Sequence, residues 1–403
     1  MPLTRRRWMT ATGAAAAALG IPAARAAGTP EPAAAPLPAA LKPDVFRDRQ
    51  ARLRAAAKTA GYDVLFVTPS TSLAWSANLA MGRSERLTAL LLFSDGPAVL
   101  VTPYFEAENH RRDAVVDEVV TWKEDEDPIA LTAKHLGRIK VAGIEGTTAY
   151  DTVTRLLAVA PMEARDATAT FDALRMVKSP EEQAFIRDAA RRTVLAIEAT
   201  HRKLAAGKSE SEVSAILEQE FSAQGVHGGG LVQFGPSAAL PHGGPGDRKL
   251  ASGDVVLIDA GCKVRGYNSD VTRTVCFGKP SDEIRKVYGV VDRAQIAGIE
   301  ALKAGAAPED VDRAARRVIE GAGYGEYFTH RVGHGLGMDG HERPYLVRGN
   351  VTPLTAGNTV TIEPGIYLPG RFGVRIEDDY AARDTTPPTS LSARPGELVT
   401  LKT

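Results

Sequence analysis

Two aspartates stand inside an apolar stretch that reads as a β-hairpin. The segment V-V-L-I-D-A-G-C-K-V-R-G-Y-N-S-D-V-T-R-T covers residues 255–274 and places Asp259 and Asp270 on its two strands. Period-2 alternation and a turn centred on residues 264–266 predict that the two aspartates are cross-strand partners, with β-carbons roughly 5 Å apart. Two carboxylates this close repel each other unless a cation lies between them. The hairpin therefore indicates a metal site.

Three further polar residues occupy apolar runs near the end of the chain. Glu363 lies in T-V-T-I-E-P-G-I-Y, Glu377 in G-V-R-I-E-D-D, and His334 in the glycine-rich loop H-R-V-G-H-G-L-G. With Asp259 and Asp270 they offer one imidazole and four carboxylates, a hard, oxygen-rich donor set. Four carboxylates nearly neutralise two dications. The set therefore predicts two divalent metal ions, with manganese first and zinc or cobalt as alternatives.

The length and charge of the chain limit the classes of protein to which it can belong. It has 403 residues, and its 49 Lys and Arg residues equal its 49 Asp and Glu residues, so the formal net charge is zero. This length predicts two ordinary soluble domains with ample core. A zero net charge gives no support for a nucleic-acid partner, because phosphate backbones are bound by basic faces.

The first residues are typical of an export signal. T-R-R-R-W-M at 4–9 resembles a twin-arginine motif, and an apolar run over 11–21 and a small-residue site, A-R-A, at 24–26 follow it. We predict a signal over 1–26, and a periplasmic or secreted protein without a membrane anchor once the signal is cleaved. The alternative is an uncleaved amphipathic or disordered tail. An Ala- and Pro-rich linker over 27–44 follows.

Two domains are predicted beyond the linker. Over 45–172 helical patterns alternate with apolar strands, which is typical of an α/β domain. The second domain, 173–403, begins with S-P-E-E at 179–182, a capped helix start with proline at its first position. Its order of helix, helix and strands occurs twice, which predicts two related halves that face one site.

The motifs of the second domain resemble those of a known enzyme family. The succession L-R-M-V-K-S-P-E-E, P-H, D-A-G, S-D-V-T-R-T, H-R-V-G-H-G-L-G, H-E, I-E-P-G and G-V-R-I-E-D is similar to that of the pita-bread metallopeptidases, the group of methionine aminopeptidase and creatinase. Within that group it resembles the Xaa-Pro aminopeptidases and prolidases (Xaa-Pro dipeptidases). The resemblance implies an α/β N-terminal domain plus an α+β pita-bread catalytic domain with pseudo-twofold halves.

The resemblance also implies a role for each of the five predicted ligands. Asp259 would hold one metal ion, Asp270 and Glu377 would bridge the two ions, and His334 with Glu363 would complete the other. A metal-bridging hydroxide would attack the bond between an N-terminal residue and proline. Glu363 would be the proton shuttle to the leaving proline nitrogen.

Four further residues match other positions of the family. His242 and His341 would polarise the substrate carbonyl and stabilise the oxyanion, although His242 taken alone could be an ordinary loop histidine. His330 would line the proline pocket. Arg375 shares a strand face with Glu377, and would order the groups around it or help to bind substrate.

The implied substrate is a peptide with proline at its second position, and the family implies a homodimer. The same fold also includes hydrolases and a lyase that act on non-peptide small molecules, and metal-free binding modules. Retention of all five ligands argues against a binding module. It argues less against non-peptide chemistry, because a fold does not determine a substrate.

Two competing motifs fail on their context. G-L-G-M-D-G at 335–340 has the spacing of a dinucleotide-binding loop, but no clear strand precedes it and Pro344 follows too soon for the required helix. H-G-G-G at 227–230 resembles an esterase oxyanion loop, but the chain has no G-x-S-x-G to supply a nucleophile.

Cys262 and Cys276 both fall in the hairpin. The register that pairs Asp259 with Asp270 keeps them several residues apart, so we predict free thiols rather than a disulfide. A shifted register would overturn this.

Overall fold

The computed structural model describes residues 35–241, 243–244 and 246–403. The export signal predicted for 1–26 lies outside this range, as does the first part of the predicted linker. Residues 35–42 form no helix or strand. Their carbonyl groups at Ala35 and Pro38 accept hydrogen bonds from Arg192 and Arg265, at 2.6 and 2.7 Å. This stretch therefore lies against the C-terminal half of the chain.

The N-terminal part alternates helices with the strands of one sheet. The sheet has the order β4-β3-β2-β1-β5-β6, in which β2 runs antiparallel to β1 and β3 and the other neighbours are parallel. The helices are α1 Pro43–Ala60, α2 Thr71–Ala77, α3 Ala107–Asp113, α4 Pro128–Leu136, α5 Tyr150–Val159 and α6 Thr168–Arg175. The strands are β1 Val64–Val67, β2 Ala89–Phe93, β3 Ala98–Pro103, β4 Glu118–Trp122, β5 Val141–Ile144 and β6 Glu163–Asp166.

Both faces of this sheet are buried, which explains its unbroken apolar strands. Leu65 and Leu90 pack into a core on one face, and Phe66 and Leu91 into a core on the other. Strands covered on both faces lose the polar–apolar alternation of a half-exposed sheet.

The C-terminal part contains two five-stranded sheets and one two-stranded sheet, and a pair of helices precedes the strands of each larger sheet. The orders of the sheets are β18-β10-β8-β7 and β12-β11-β13-β16-β17. The helices are α7 Pro180–Arg202, α8 Glu210–Ala223, α9 Asp282–Ala301 and α10 Pro308–Gly321. The strands are β7 Gly228–Phe234, β8 Val255–Val264, β9 Tyr267–Asn268, β10 Val271–Phe277, β11 Gly333–Gly335, β12 Glu342–Leu346, β13 Thr359–Ile362, β14 Gly365–Leu368, β15 Phe372–Arg375, β16 Asp378–Ala381, β17 Thr389–Ser390 and β18 Thr400–Leu401.

The first two of these helices begin where their sequences predict. The Ser179 hydroxyl accepts from the backbone N–H of Glu182, and the Glu182 carboxylate accepts from the N–H of Ser179. Ser209 and Glu212 form the same reciprocal cap at the start of α8. Each cap satisfies backbone donors that the first turn of a helix leaves without partners.

The register of the β8–β10 hairpin differs from the prediction by two residues. Thr272, and not Asp270, lies opposite Asp259. The strands are joined by a two-residue turn at Arg265 and Gly266, whose φ angles are 52° and 86°, the signs of a type I′ hairpin turn. The prediction of direct pairing was therefore wrong. A shift of two residues keeps each side chain on its face, so Asp259 and Asp270 remain diagonal neighbours.

The same shift leaves the two cysteines apart. Cys276 pairs with Val255, and both Cys262 and Cys276 are free and buried. The prediction of free thiols is confirmed.

In the part of the chain that the structure describes, no helix combines the length and the apolar character needed to cross a membrane.

Candidate metal centre

The five predicted ligands line one cavity of about 520 Å³. The five residues lie in or next to strands of the two larger C-terminal sheets. Asp259 lies in β8, Asp270 immediately before β10, His334 in β11, Glu363 immediately after β13 and Glu377 immediately before β16. Strand ends from the two halves thus meet at this cavity.

The ligand atoms lie close enough together to hold metal ions. Oxygens of Asp259, Asp270 and Glu377 lie within 4.8 Å of one another, and so do a nitrogen of His334 and oxygens of Glu363 and Glu377. Nε2 of His334 lies 3.3 Å from Oε1 of Glu363 and 3.7 Å from Oδ2 of Asp270. These two groups overlap at Glu377, and a third group, formed by Asp270, His334 and His341, shares a residue with each of them.

His334 presents the nitrogen and the charge state that a metal requires. Its Nδ1 lies 3.0 Å from the carbonyl oxygen of Gly335, and because a carbonyl only accepts, Nδ1 must carry the proton. The lone pair of Nε2 therefore faces the carboxylates. Burial lowers the pKa of His334 to about 3, which keeps the imidazole neutral. A neutral imidazole held by such a hydrogen bond is the usual metal-binding form.

The carboxylates are stabilised poorly without a cation. Burial, with the negative charge of Asp259 as the next cause, raises the pKa of Asp270 well above its usual value. Burial and the charge of Asp270 raise the pKa of Glu377 well above its usual value. Burial also raises the pKa of Glu363 to about 7. A divalent cation would remove this repulsion and stabilise the ionised forms. The donor set therefore fits divalent metal.

Arg375 connects the carboxylate of Asp259 to the hydroxyl groups of Thr272 and Tyr367. Its Nη2 lies 2.5 Å from Oδ2 of Asp259, and its Nε donates to the hydroxyl of Thr272 at 3.1 Å. Its Nη1 donates to the hydroxyl of Tyr367 at 2.8 Å. The guanidinium is almost wholly buried, so these contacts fix the orientation of Asp259.

His330 lines the same cavity beside Tyr367. Its Nε2 lies 2.8 Å from the Tyr367 hydroxyl, and its Nδ1 lies 2.7 Å from the carbonyl oxygen of Arg331. Phe328 packs edge-on against the imidazole, with ring centroids 5.1 Å apart. These contacts hold the imidazole of His330 in one orientation between Tyr367 and Phe328.

Of the two remaining predicted histidines, the structure describes His341 but not His242. The ring of His341 lies against that of His334, with centroids 3.9 Å apart, and its side chain is exposed at the edge of the cavity. His242 lies outside the described residues. Its neighbour Pro241 lines the cavity.

Sequence reasoning missed groups that hold the ligands in place. The hydroxyl of Thr272 donates to Oε2 of Glu377 at 2.6 Å, and that of Thr361 donates to Oε1 of Glu363 at 3.2 Å. Period-2 alternation places Thr361 on the face of Glu363 and Thr272 on that of Asp270, but it does not show which carboxylate either hydroxyl contacts. No comparable signal marks Tyr367, which lies in another strand.

This fold and this donor set define a metal-dependent hydrolase of the pita-bread class. The chain belongs to metallopeptidase family M24, whose profile matches residues 184–384. The profile of the creatinase/prolidase N-terminal domain matches residues 49–177. The predicted fold class and the predicted peptidase activity are thereby confirmed.

Individual relatives agree with this assignment. A probable dipeptidase PepE from Mycobacterium bovis is 37% identical over 353 residues, which cover 83% of this chain and 91% of that protein. The crystal structure of dipeptidase PepE from Mycobacterium ulcerans matches 91% of this chain and 100% of its own, with a TM-score of 0.85 and 34% identity. An Xaa-Pro dipeptidase from Bacillus anthracis matches 88% of this chain and 100% of its own, with a TM-score of 0.82 and 33% identity.

Proposed function

We propose that this metallopeptidase is a dinuclear exopeptidase that cleaves the bond between an N-terminal residue and proline. The observation that carries the proposal is the meeting of one imidazole and four buried or half-buried carboxylates in one cavity, in overlapping groups of ligand atoms. The specificity for proline is supported by the likeness to an Xaa-Pro dipeptidase.

In this proposal the five side chains hold two divalent ions, with manganese favoured by the oxygen-rich donor set. Asp259 would hold one ion, His334 and Glu363 would hold the other, and Asp270 and Glu377 would contribute to both. When bound, the ions lower the pKa of water towards neutrality and so supply the nucleophile.

The side chains of the protein carry the remaining steps. Glu363 takes a proton from the attacking water and returns it to the proline nitrogen that leaves. His341, with His242, donates to the carbonyl oxygen of the scissile bond as negative charge develops there. Arg375 holds Asp259 in place, and His330 forms a wall for the proline ring.

We also propose that residues 1–26 direct twin-arginine export to the periplasm or beyond, on the motif T-R-R-R-W-M. Replacing Arg5 and Arg6 with lysine should leave the uncleaved precursor in the cytoplasmic fraction. Export of that variant at the normal rate would contradict the proposal. The homodimer implied by the family remains a prediction.

Product analysis by mass spectrometry tests the activity. Manganese-loaded protein receives Ala-Pro, Ala-Pro-Ala and Ala-Ala-Ala together, and a Glu363→Gln variant is the control. We expect alanine to be released from the two proline peptides alone, and the control to be inactive. Bound metal without cleavage of any peptide would contradict the proposal and indicate a non-peptide substrate of the same fold.

A further inference from the structure

The loop between β11 and β12 carries His341 and contacts both parts of the chain. It covers residues 336–341, so His341 is its last residue. Met338 packs against a core of the N-terminal part and against the core shared by α7 and the β8–β10 hairpin. The side-chain amide of Asn268 donates to the carbonyl groups of Gly337 and Met338, at 2.9 Å each. The loop is therefore held between the two parts.

The acidic residues on either side of His341 bind side chains of the N-terminal part. Asp339 lies two residues before His341, and Glu342 directly follows it. Nη2 of Arg175, the last residue of α6, lies 2.5 Å from Oδ2 of Asp339 and 3.2 Å from Oε2 of Glu342. The hydroxyl of Thr71, the first residue of α2, donates to Oδ1 of Asp339. One guanidinium group thus holds the chain on both sides of the histidine.

Most of these contacts are shielded from water. The side chain of Arg175 is 10% exposed and that of Glu342 9%. Lys178, whose side chain is 2% exposed, also pairs with Glu342. A Cβ added at Gly337 would lie 2.8 Å from both carboxylate oxygens of Glu342 and from Cε of Lys178, so the loop packs closely around this pair. A buried polar network with its hydrogen bonds made is rigid and favours a single arrangement.

The backbone fixed in this way determines where the imidazole of His341 lies. The ring lies at the edge of the metal cavity, with its centroid 3.9 Å from that of His334. Under the proposed function it must reach the carbonyl oxygen of the scissile bond. A displacement of about 1 Å is enough to weaken such a catalytic contact strongly.

We propose that Arg175 is a positioning residue for His341, and that the N-terminal part of the chain thereby contributes to the polarisation of the substrate carbonyl. The inference rests on the proposed function, which assigns that task to His341. Arg175 acts through Asp339 and Glu342, and Thr71 assists through Asp339.

Steady-state kinetics on Ala-Pro test this role. Arg175→Met should lower kcat by about tenfold or more and change KM by less than about threefold, because a displaced His341 loses a contact made chiefly in the transition state. Thr71→Val, which removes one hydrogen bond to Asp339, should lower kcat by about threefold. Both variants should still bind two metal ions. If Arg175→Met fails to fold, Thr71→Val carries the same comparison.

A double-mutant cycle separates positioning from a general structural effect. If Arg175 acts through His341, the losses caused by the two substitutions cannot add. Arg175→Met introduced into a His341→Ala variant should therefore lower kcat by no more than about a further twofold. A general structural effect would lower kcat equally in both backgrounds.

Arg343 offers a matched control, because it also joins β12 to α6. It lies one residue beyond Glu342 and pairs with Asp172 of α6 at 3.3 Å, but its side chain is 61% exposed. Arg343→Met should change kcat by less than about twofold, since exposed ion pairs contribute little.

Histidine NMR follows the ring of His341 without turnover. In metal-free protein with isotope-labelled histidine, the signals lost in His341→Ala identify this residue. They should shift in Arg175→Met and Thr71→Val and stay in place in Arg343→Met. Unshifted His341 signals in the first two variants, or equal losses of kcat with and without His341, would overturn the inference. A parent protein that cleaves no peptide would overturn the proposed function, and the NMR comparison would still decide whether Arg175 positions His341.

Discussion

Under the proposed function, Glu363 would serve both as a metal ligand and as the proton shuttle. Its Oε1 lies 3.3 Å from Nε2 of His334 and accepts from the Thr361 hydroxyl, and the carboxyl group is sequestered enough that its pKa rises to about 7. A bound cation would favour the ionised carboxylate, which can accept a proton from water and pass it on.

Replacing this group with its isosteric amide should therefore abolish proton transfer and leave the fold intact. We expect Glu363→Gln to lower kcat by about 10²–10⁴-fold. Steady-state kinetics on Ala-Pro would measure the loss, and far-UV circular dichroism would verify the fold. A variant that keeps more than about a tenth of the parent kcat would exclude Glu363 as the shuttle.

The raised pKa values of the acidic ligands also predict a pH-dependent stability of the metal-free protein. Asp270, Glu363 and Glu377 hold protons more tightly when folded than when unfolded. Their contribution to stability is therefore lost as the pH rises through their folded pKa values. His334, with its pKa lowered to about 3, affects stability only below the ordinary histidine pKa of about 6.5.

Above about pH 6.5 the carboxylates thus dominate, and the free energy of unfolding in EDTA should fall as the pH rises through about 7, the folded pKa of Glu363. Each proton that folded protein must release contributes a slope of up to about 1.4 kcal/mol per pH unit. Urea titrations at several pH values would measure it. Metal-loaded protein is the control and should lose this dependence. A metal-free protein that grows more stable over the same range would contradict the assignment.

At the scale of single elements, the glycines of β7 let this strand approach β8, which carries Asp259. A Cβ added at Gly230 would collide with the carbonyl oxygen of Asp259 and lie 2.6 Å from Cα of Ala260. At the adjacent Gly229, the nearest atom is Cγ of Glu218, at an ordinary 3.7 Å.

Gly230→Ala should therefore force the two strands apart and displace Asp259. We expect a loss of about 1–3 kcal/mol in unfolding free energy, together with weaker metal binding. Gly229→Ala should change stability by less than about 1 kcal/mol. Denaturant unfolding and metal titration of both variants would measure the effects. Equal behaviour of the two would show that the close strand contact is unimportant.

Elements and faces could be predicted from the sequence better than register could. The serine caps at Ser179 and Ser209, and the strand faces of Asp259 and Asp270, depend on local spacing. The register depends on the length of the hairpin turn, and Arg265 adopts a positive φ that a non-glycine residue seldom shows. The pattern could not reveal this turn, and the pairing was therefore two residues in error.

At the scale of the whole molecule, a buried network joins the N-terminal and catalytic parts. Arg49 of α1 donates to Oε1 of Glu182 at 2.7 Å, in the first turn of α7. The hydroxyl of Tyr267 and Nε1 of Trp75 donate to the same oxygen, at 2.5 and 3.2 Å. The side chains of Arg49 and Glu182 are only 4% and 6% exposed. The two parts therefore share one desolvated ion pair.

Removing the arginine should leave Glu182 buried without its counter-ion. We expect Arg49→Met to cost about 3–5 kcal/mol of unfolding free energy. Arg47, two residues earlier in α1, pairs with Asp117 at the surface, and both side chains are more than 40% exposed. Arg47→Met should therefore cost about 1 kcal/mol or less. Chemical denaturation would compare the two. Similar losses would show that the network does not join the parts.

Residues of the site could be predicted from the sequence only where they lie in recognisable motifs. Asp259, Asp270, His334, Glu363 and Glu377 each interrupt an apolar run, and the structure brings all five together. Arg331 lies in one of the same motifs, but its position beside the cavity follows from tertiary packing against Tyr345, which spacing along the chain does not encode.

Metal stoichiometry tests the central claim most directly. Protein freed of metal with EDTA would be titrated with Mn²⁺ by calorimetry, and the bound metal counted by elemental analysis after dialysis. The predicted result is two ions per chain in the parent protein and a lower count in Asp259→Asn, with both chains folded. No bound metal, or a single ion unaffected by loss of Asp259, would contradict the dinuclear centre on which the proposed activity depends.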